Sequence, residues 1–185
     1  KTYAIDETMC VIADERGVLG LGGVMGGETT GSSEATTSVF IECALFDPLR
    51  TAKTGRKTGI HSDARYRFER GVDPAFVLPG LELATALILE ICGGEASEIA
   101  LAGTIPAAVR TIAFPPSETR RLLGLDIPEA EMERILKALG FTVRRSDPWL
   151  VDAPTWRPDI EGKADLVEEI ARIVGFDKLP MATLP

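Results

Sequence analysis

The sequence predicts an α+β fold in two units, residues 1–104 and 105–185. Three observations carry that expectation. A length of 185 residues, 45% of them hydrophobic, suffices for two small cores. Up to about residue 101 the chain reads as a glycine-rich hairpin, an apolar strand and a series of capped helices. At Gly103 to Ala108, Gly, Thr and Pro interrupt the pattern, and a new order begins: strand, helix, helix, hairpin, helix.

In the first unit, Met9 to Ala13 and Val18 to Val24 read as strands joined at Asp14-Glu15-Arg16-Gly17, where Gly17 can take positive φ. Glu28 to Thr37 is a polar loop. Ser38 to Phe46 is expected to be a buried strand, apolar on both faces except for Glu42. Asp47-Pro48 supplies a capping acid and a proline suited to the first helical turn, so a helix should run over Leu49 to Arg56 and stop before Gly59. A short helix over His61 to Arg70 ends at Gly71. Asp73-Pro74 opens a longer one, bent at Pro79-Gly80 and reaching Gly93-Gly94. Leu83, Ala84, Leu87, Ile88 and Ile91 give it an apolar face at helical spacing. Ile99 to Leu101 is one more candidate strand.

In the second unit, Val109 to Phe114 reads as a strand. Ser117 caps a helix through Leu123. Pro128 to Leu139 is a helix with Ile135, Leu136 and Leu139 inward and Gly140 as its stop. Phe141 to Arg144 and Trp149 to Ala153 form a hairpin across Ser146-Asp147-Pro148. A last helix starts at Asp159 or Lys163 and ends at Val174. This order matches a small winged-helix-like α+β module. Such modules often bind DNA, but Asp165, Glu168 and Glu169 on the last helix would repel phosphate, so DNA is not expected as a partner.

Composition narrows the function. A net charge of −8 opposes non-specific nucleic-acid binding by the whole chain. Three separated cysteines, Cys10, Cys43 and Cys92, with no Cys-x-x-Cys, speak against zinc and a disulfide framework and fit a reducing, cytoplasmic setting. No signal peptide is visible. The most apolar run, Leu81 to Cys92, contains Glu82 and Glu90 and is short for a bilayer, so no membrane is expected. A start at Lys1 rather than Met suggests a piece of a longer protein.

Three constellations could carry chemistry. The first is Gly20 to Gly27, five glycines in eight residues, followed by the strand bearing Glu42. Neither GxxxxGK[ST] nor a GxGxxG opening a helix is present, which excludes a phosphate loop and a dinucleotide fingerprint. A glycine floor beside one inward acid resembles a small-molecule pocket. The plainer readings are a ligand-free hairpin rim and a Glu42 salt-bridged to a buried Arg. The second constellation is Arg50 to Arg70, with a net charge of +5. Arg50, Lys53 and Lys57 share a helical face there. That face is either merely solvated or suited to the phosphates of an RNA end. The third is the last helix, where Asp165, Glu168 and Glu169 with Asp159 offer four oxygen ligands for a hard cation such as Mg²⁺. Wet acids on an amphipathic helix are the plainer reading. No nucleophile–base pair is visible, and a Cys–His hydrolase built on Cys43 and His61 is disfavoured.

Gly22-Gly23-Val24-Met25-Gly26-Gly27-Glu28, Ile41-Glu42-Cys43-Ala44-Leu45-Phe46-Asp47-Pro48 and Ser62-Asp63-Ala64-Arg65-Tyr66-Arg67-Phe68-Glu69-Arg70-Gly71-Val72-Asp73-Pro74 closely resemble the beta subunits of bacterial phenylalanine–tRNA ligases. Pro154-Thr155-Trp156-Arg157-Pro158-Asp159-Ile160 and Asp165 to Phe176 resemble the next domain of the same subunit, so the similarity runs in order over essentially the whole chain. The resemblance implies that residues 1–104 are most of an editing domain, which hydrolyses tyrosine wrongly attached to tRNA(Phe). It implies that residues 105–185 are a small domain near the alpha subunit. The family enzyme is an α₂β₂ heterotetramer whose ATP and phenylalanine site lies on the alpha subunit, so no aminoacylation is expected of this chain alone. By the same resemblance, Glu42 reads the tyrosine hydroxyl, Gly22, Gly23 and Gly26 floor the pocket, and Ser62 and Ala64 wall it. Asp159, Asp165, Glu168 and Glu169 then match magnesium ligands shared with the alpha subunit. The chain departs from the family, which often has Ala-Gly at Gly22-Gly23 and Thr at Ser62, and an upstream part with a pocket histidine is expected to be missing.

Overall fold

In the computed structural model, which describes residues 1–106 and 109–181, the chain divides into two units, Lys1–Pro106 and Ala107–Pro185. The fold class is α+β, with two small antiparallel sheets. The end of the expected boundary stretch, residues 107 and 108, lies outside the described residues.

The first unit opens with a hairpin of β1 (Val11–Asp14) and β2 (Gly17–Leu21). Asp14 accepts from the backbone N–H of Arg16 at 2.8 Å and Gly17 at 3.2 Å, and Gly17 has φ +136°. The second strand is shorter than expected. After Leu21 the chain turns at Gly22-Gly23, with Gly23 at φ +69°, and returns as β3 (Met25–Gly26) against β2. The glycines therefore make a reversal where strand was expected, because residues without Cβ accept the left-handed turn.

Ser38 to Phe46 is not a strand. It has no ladder partner, Phe40 is 93% exposed, and Glu42 is exposed. Apolar composition signals burial, but a strand also needs an edge to pair with, and β1, β2 and β3 pair only among themselves. Ile99 to Leu101 forms no strand for the same reason, and both apolar side chains are exposed.

The helices follow their punctuation. α1 (Pro48–Thr58) is capped by Asp47, which accepts from the Arg50 N–H at 2.6 Å, and ends at Gly59 in the left-handed region. α2 (Asp63–Phe68) is capped by Ser62, whose Oγ accepts from the Arg65 N–H at 3.1 Å. A 3-10 turn at Pro74–Phe76 leads into α3 (Val77–Cys92). From Pro74 to Cys92 the chain is helical for 19 residues, longer than the run Leu81 to Cys92 suggested, and by length and composition alone this is enough to cross a membrane. The predicted apolar face of α3 is uncovered: Leu83, Leu87 and Ile91 are exposed. The core of this unit is a cluster of Met9, Leu21, Val24 and Ile60, with Tyr3 and Val11 packed against it.

The second unit has β4 (Arg110–Phe114), α4 (Ser117–Leu123), α5 (Glu129–Ala138), β5 (Thr142–Arg144), β6 (Trp149–Ala153) and α6 (Lys163–Val174). The sheet order is β4-β6-β5, all antiparallel, so the first strand lies beside the last. Trp149, Val151 and Ala153 alternate inward on β6 and meet Phe114 and Ile112 of β4 in register. Phe114 and Trp149 pack edge-on at 6.2 Å. Ile135 and Leu136 of α5 and Leu166 and Ile170 of α6 complete the core. Ser117 opens α4 rather than capping it; Pro116 holds the cap position, and no side-chain cap bond forms.

Candidate functional site

The glycine turn exists to be pressed upon. An atom at the Cβ position of Gly22 would lie 2.7 Å from the Phe46 ring and 3.0 Å from Cys10 Sγ. At Gly23 it would lie 3.0 Å from Phe46 and 3.2 Å from Thr51 Oγ1. Phe46 in turn packs edge-on against Phe68 of α2 at 5.1 Å. The bare backbone thus lets an aromatic side chain, the buried Thr51 of α1 and one face of α2 close on the turn. Gly26 faces open space.

Above this floor is a cavity of about 800 Å³, lined among others by Gly22, Gly23, Gly26, Phe40, Glu42 and Ala64. Five of the six residues expected from the resemblance therefore come together. Ser62 does not line this cavity. As the cap of α2 its hydroxyl accepts from Arg65 and donates to the Val24 carbonyl at 2.5 Å, so it ties α2 to the glycine turn and supports the wall instead of forming it. Glu42 forms no hydrogen bond or ion pair among the described residues, so the alternative of a salt bridge to a buried Arg is not what the structure shows. Partial burial against the cavity wall pushes its carboxyl above the ordinary range. Sequence reasoning missed Phe40 and Phe46 as cavity residues; their apolar run signalled core and nothing in it signalled a lining.

A smaller cavity of about 480 Å³ on the other side of α2 is lined by His61, Ser62, Asp63, Arg65, Tyr66 and Glu69. His61 lines this one and Cys43 the larger one, so the two do not form a catalytic pair.

The basic stretch splits. Arg50, Lys53 and Lys57 are exposed on α1. Lys57 is ion-paired with Asp6, and its ammonium, with Thr8, holds the Asp6 carboxyl down at about 2. Arg65 is buried: its Nη1 donates to the Ile60 carbonyl at 2.7 Å and its Nε to Glu69 at 3.0 Å, and it lies directly over Gly55. It is a structural pin, not a phosphate contact. Arg70 stacks on Tyr66 at 3.8 Å.

The four acids do not form a ligand set. Among the described residues no group of three or more acidic, histidine or cysteine side chains is arranged to hold a metal ion. Asp165 accepts from the N–H groups of Glu161 and Gly162, both at 2.8 Å, and so caps its own helix. Glu168 is exposed. Asp159 and Glu169 both bind Arg157. Glu169 is buried with the apolar face of α6, while Ile173 is exposed, so the helix presents a different face to the core than its pattern suggested. Arg157, then Arg172, hold the Glu169 carboxyl down at about 2. The sequence signal that could have exposed this is Arg157 itself, a lone cation two residues before Asp159.

Comparison with known proteins places both units. Residues 1–93 match the B3/4 domain family, and residues 112–176 match the tRNA synthetase B5 domain family. Over 182 residues, 98% of the chain, it is 57% identical to the phenylalanine–tRNA ligase beta subunit of Nitrobacter winogradskyi and 56% identical to that of Bradyrhizobium diazoefficiens. It is 54% identical to the Rhodopseudomonas palustris subunit over the same length. The chain spans 22% to 23% of the length of these relatives. With both domains matched in order and identity above half along nearly the whole chain, it belongs to the bacterial phenylalanine–tRNA ligase beta-subunit family and carries a B3/4 domain followed by a B5 domain.

Proposed function

We propose that the glycine-floored cavity is a post-transfer editing site that hydrolyses Tyr-tRNA(Phe), with Glu42 as the reader of the tyrosine hydroxyl. The observation that carries this reading is the unpartnered Glu42 carboxylate on the wall of an otherwise largely apolar cavity. Tyrosine and phenylalanine differ by one hydroxyl, which an apolar synthetic pocket rejects poorly. A second site can correct the error if it requires that hydroxyl. The Glu42 carboxylate accepts a hydrogen bond from tyrosine, whereas bound phenylalanine leaves it facing an apolar ring edge; the difference is about 1–3 kcal/mol.

Hydrolysis of the ester then needs a water positioned at the carbonyl and hydrogen-bond donors for the oxygen that becomes negative. Within the glycine turn the N–H groups of Gly22, Val24 and Gly27 already donate to the carbonyls of Cys10, Leu21 and Leu19, which leaves the Gly23 N–H as the turn's donor for that oxygen. Positioning, assisted by the terminal hydroxyl of the tRNA, replaces a protein nucleophile. In this reading Arg50 and Lys53, exposed on α1, meet tRNA phosphates, with Lys57 contributing once Asp6 releases it. The B5 unit supports docking of the alpha subunit in an α₂β₂ enzyme of the cytoplasm, where ATP and Mg²⁺ serve aminoacylation. The helix Pro74–Cys92 belongs to the tRNA-handling domain in this reading and meets no membrane.

The uncovered apolar face of α3 and the exposed Phe40 favour a second reading, in which the first unit orients tRNA and docks to other parts of the enzyme without activity of its own. Deacylation of Tyr-tRNA(Phe) and Phe-tRNA(Phe) decides between them. Selective loss of tyrosine that Glu42→Ala abolishes or makes unselective supports editing. Absence of hydrolysis by the chain, and also by a full beta subunit assembled with its alpha partner, supports the docking reading.

A further inference from the structure

The loop between β6 and α6 is held at three points. Ile160 is buried in the core. Arg110 Nη1 donates to the Ile160 carbonyl at 2.7 Å. The third point is Arg157, and it is the most heavily bonded. Its Nε and Nη2 donate to Asp159 at 2.8 and 2.6 Å, and its Nη1 and Nη2 donate to Glu169 at 2.9 and 3.1 Å. From the other side Arg172 Nη2 donates to Glu169 Oε2 at 2.7 Å. Both oxygens of the buried Glu169 are thereby engaged by guanidinium groups.

A guanidinium that bridges two carboxylates stands where a bridging cation would stand. Mg²⁺ requires near-octahedral oxygen ligands at about 2.0–2.1 Å. All four oxygens of Glu169 and Asp159 already accept from a guanidinium, so an ion entering there competes with those donors for them. Coulomb repulsion between the ion and a guanidinium at a few ångströms, in a partly buried place, adds to the conflict. The two remaining acids do not offset this, since Asp165 serves the N-terminus of α6 and Glu168 stands alone in solvent.

We propose that Arg157 is the resident cation of this cluster and closes Asp159 and Glu169 to divalent metal while it is seated between them. Metal enters these carboxylates only after the guanidinium has left. The inference concerns the B5 unit alone and does not depend on editing by the first unit.

The test uses Mn²⁺ as the probe, titrated into the 185-residue chain and followed by electron paramagnetic resonance, with thermal melting in Mg²⁺ or chelator beside it. The unsubstituted chain should bind Mn²⁺ weakly and melt at the same temperature in either buffer. Arg157→Gln should bind Mn²⁺ about tenfold or more tightly, because one opposing charge has gone, and Mg²⁺ should raise its melting temperature. Adding Glu169→Gln should remove both gains. Should Arg157→Gln fail to fold even in Mg²⁺, Arg157→Lys reads the same point. A lysine keeps the charge but not the double fork, so Mn²⁺ affinity should rise while remaining below tenfold. Equal Mn²⁺ affinity of the unsubstituted chain and the Arg157 variants overturns the proposal, as does tight binding by the unsubstituted chain that Asp159→Asn abolishes.

Discussion

In the B5 unit, thirteen described residues form one buried cluster, with Phe114, Leu136, Val151, Leu166 and Ile170 fully buried. In the B3/4 unit the corresponding cluster has four members, while Phe40, Leu83, Leu87 and Ile91 face outward. The first unit is no poorer in apolar residues or in cap signals. Helices α1, α2 and α3 form where their caps and glycines direct. What differs is cover. Most apolar faces in the B5 unit meet another face of the same unit, so pattern and burial largely agree there, although Ile173 and Leu150 stay exposed. Within the B3/4 unit the segment Ser38 to Phe46 is answered only in part, by Phe46 against Phe68 and the glycine turn, while Phe40 and the Leu83, Leu87 and Ile91 stripe of α3 stay exposed. Local signals build elements, but stability comes from the surfaces that meet.

That contrast can be broken by experiment. The largest effect is expected from Leu136→Ala, which empties a fully buried site and should destabilise the B5 unit by about 2–5 kcal/mol. Leu87→Ala on α3 should change stability by no more than about 0.5 kcal/mol. Both tryptophans, Trp149 and Trp156, lie in the B5 unit, so urea unfolding followed by tryptophan fluorescence reads Leu136→Ala, and circular dichroism of the whole chain reads Leu87→Ala. Equal losses for the two variants would show that α3 is packed after all.

Next in size is Gly27→Ala. An added Cβ would lie 2.3 Å from the backbone carbonyl of Leu19, which no rotamer can relieve. A cost of about 1–3 kcal/mol is expected, confined to the B3/4 unit and seen by circular dichroism without a shift in the tryptophan-monitored transition.

Acid should separate the units too. Glu169 has its folded value at about 2 against an ordinary 4.5, because Arg157 and Arg172 hold it ionised. Glu118 is lowered likewise by Arg121 and Lys163. A depressed folded value means that the unfolded chain binds the proton more readily. The stabilisation is therefore complete above about pH 4.5 and is lost as pH falls toward about 2. Glu42 has the opposite sign, since desolvation raises its value, and protonation relieves a strain instead of breaking a pair. Asp6 is half-buried but its partner Lys57 is exposed, so their ion pair adds little. An acid titration should unfold the tryptophan-reporting unit through that window, and Glu169→Gln should flatten the dependence.

The smallest effect is the most specific. Replacing Leu83 and Leu87 together by Ser should lower binding of an apolar fluorescent dye while leaving the tryptophan-monitored midpoint unchanged. A drop in that midpoint would mean that the stripe supports the B5 unit.

The α+β class, helices α1 to α6, the hairpin at Asp14 to Gly17 and the B5 sheet strands were all legible from punctuation. Asp47-Pro48, Ser62, Gly59 and Gly93 act within one turn of themselves, so their effect needs no knowledge of the rest of the chain. The pocket glycines and Glu42 were legible through their oddity: glycines clustered without a phosphate motif, and an acid within an apolar run. Ser38 to Phe46 was misread because composition cannot tell a buried strand from a strap that lines a cavity.

By itself the sequence determined where helices start and stop, where the backbone can reverse, and which family the chain joins, because these are set by side chains a few residues apart or by motifs read in order. Tertiary structure alone decided that Ser62 ties α2 to the glycine turn rather than lining the cavity. It also decided that Arg65 is a pin over Gly55, and that Arg157 sits between Asp159 and Glu169 instead of leaving them free. Each of these depends on which polar group lies within about 3 Å of another across the fold, and that distance is fixed by packing, not by spacing along the chain.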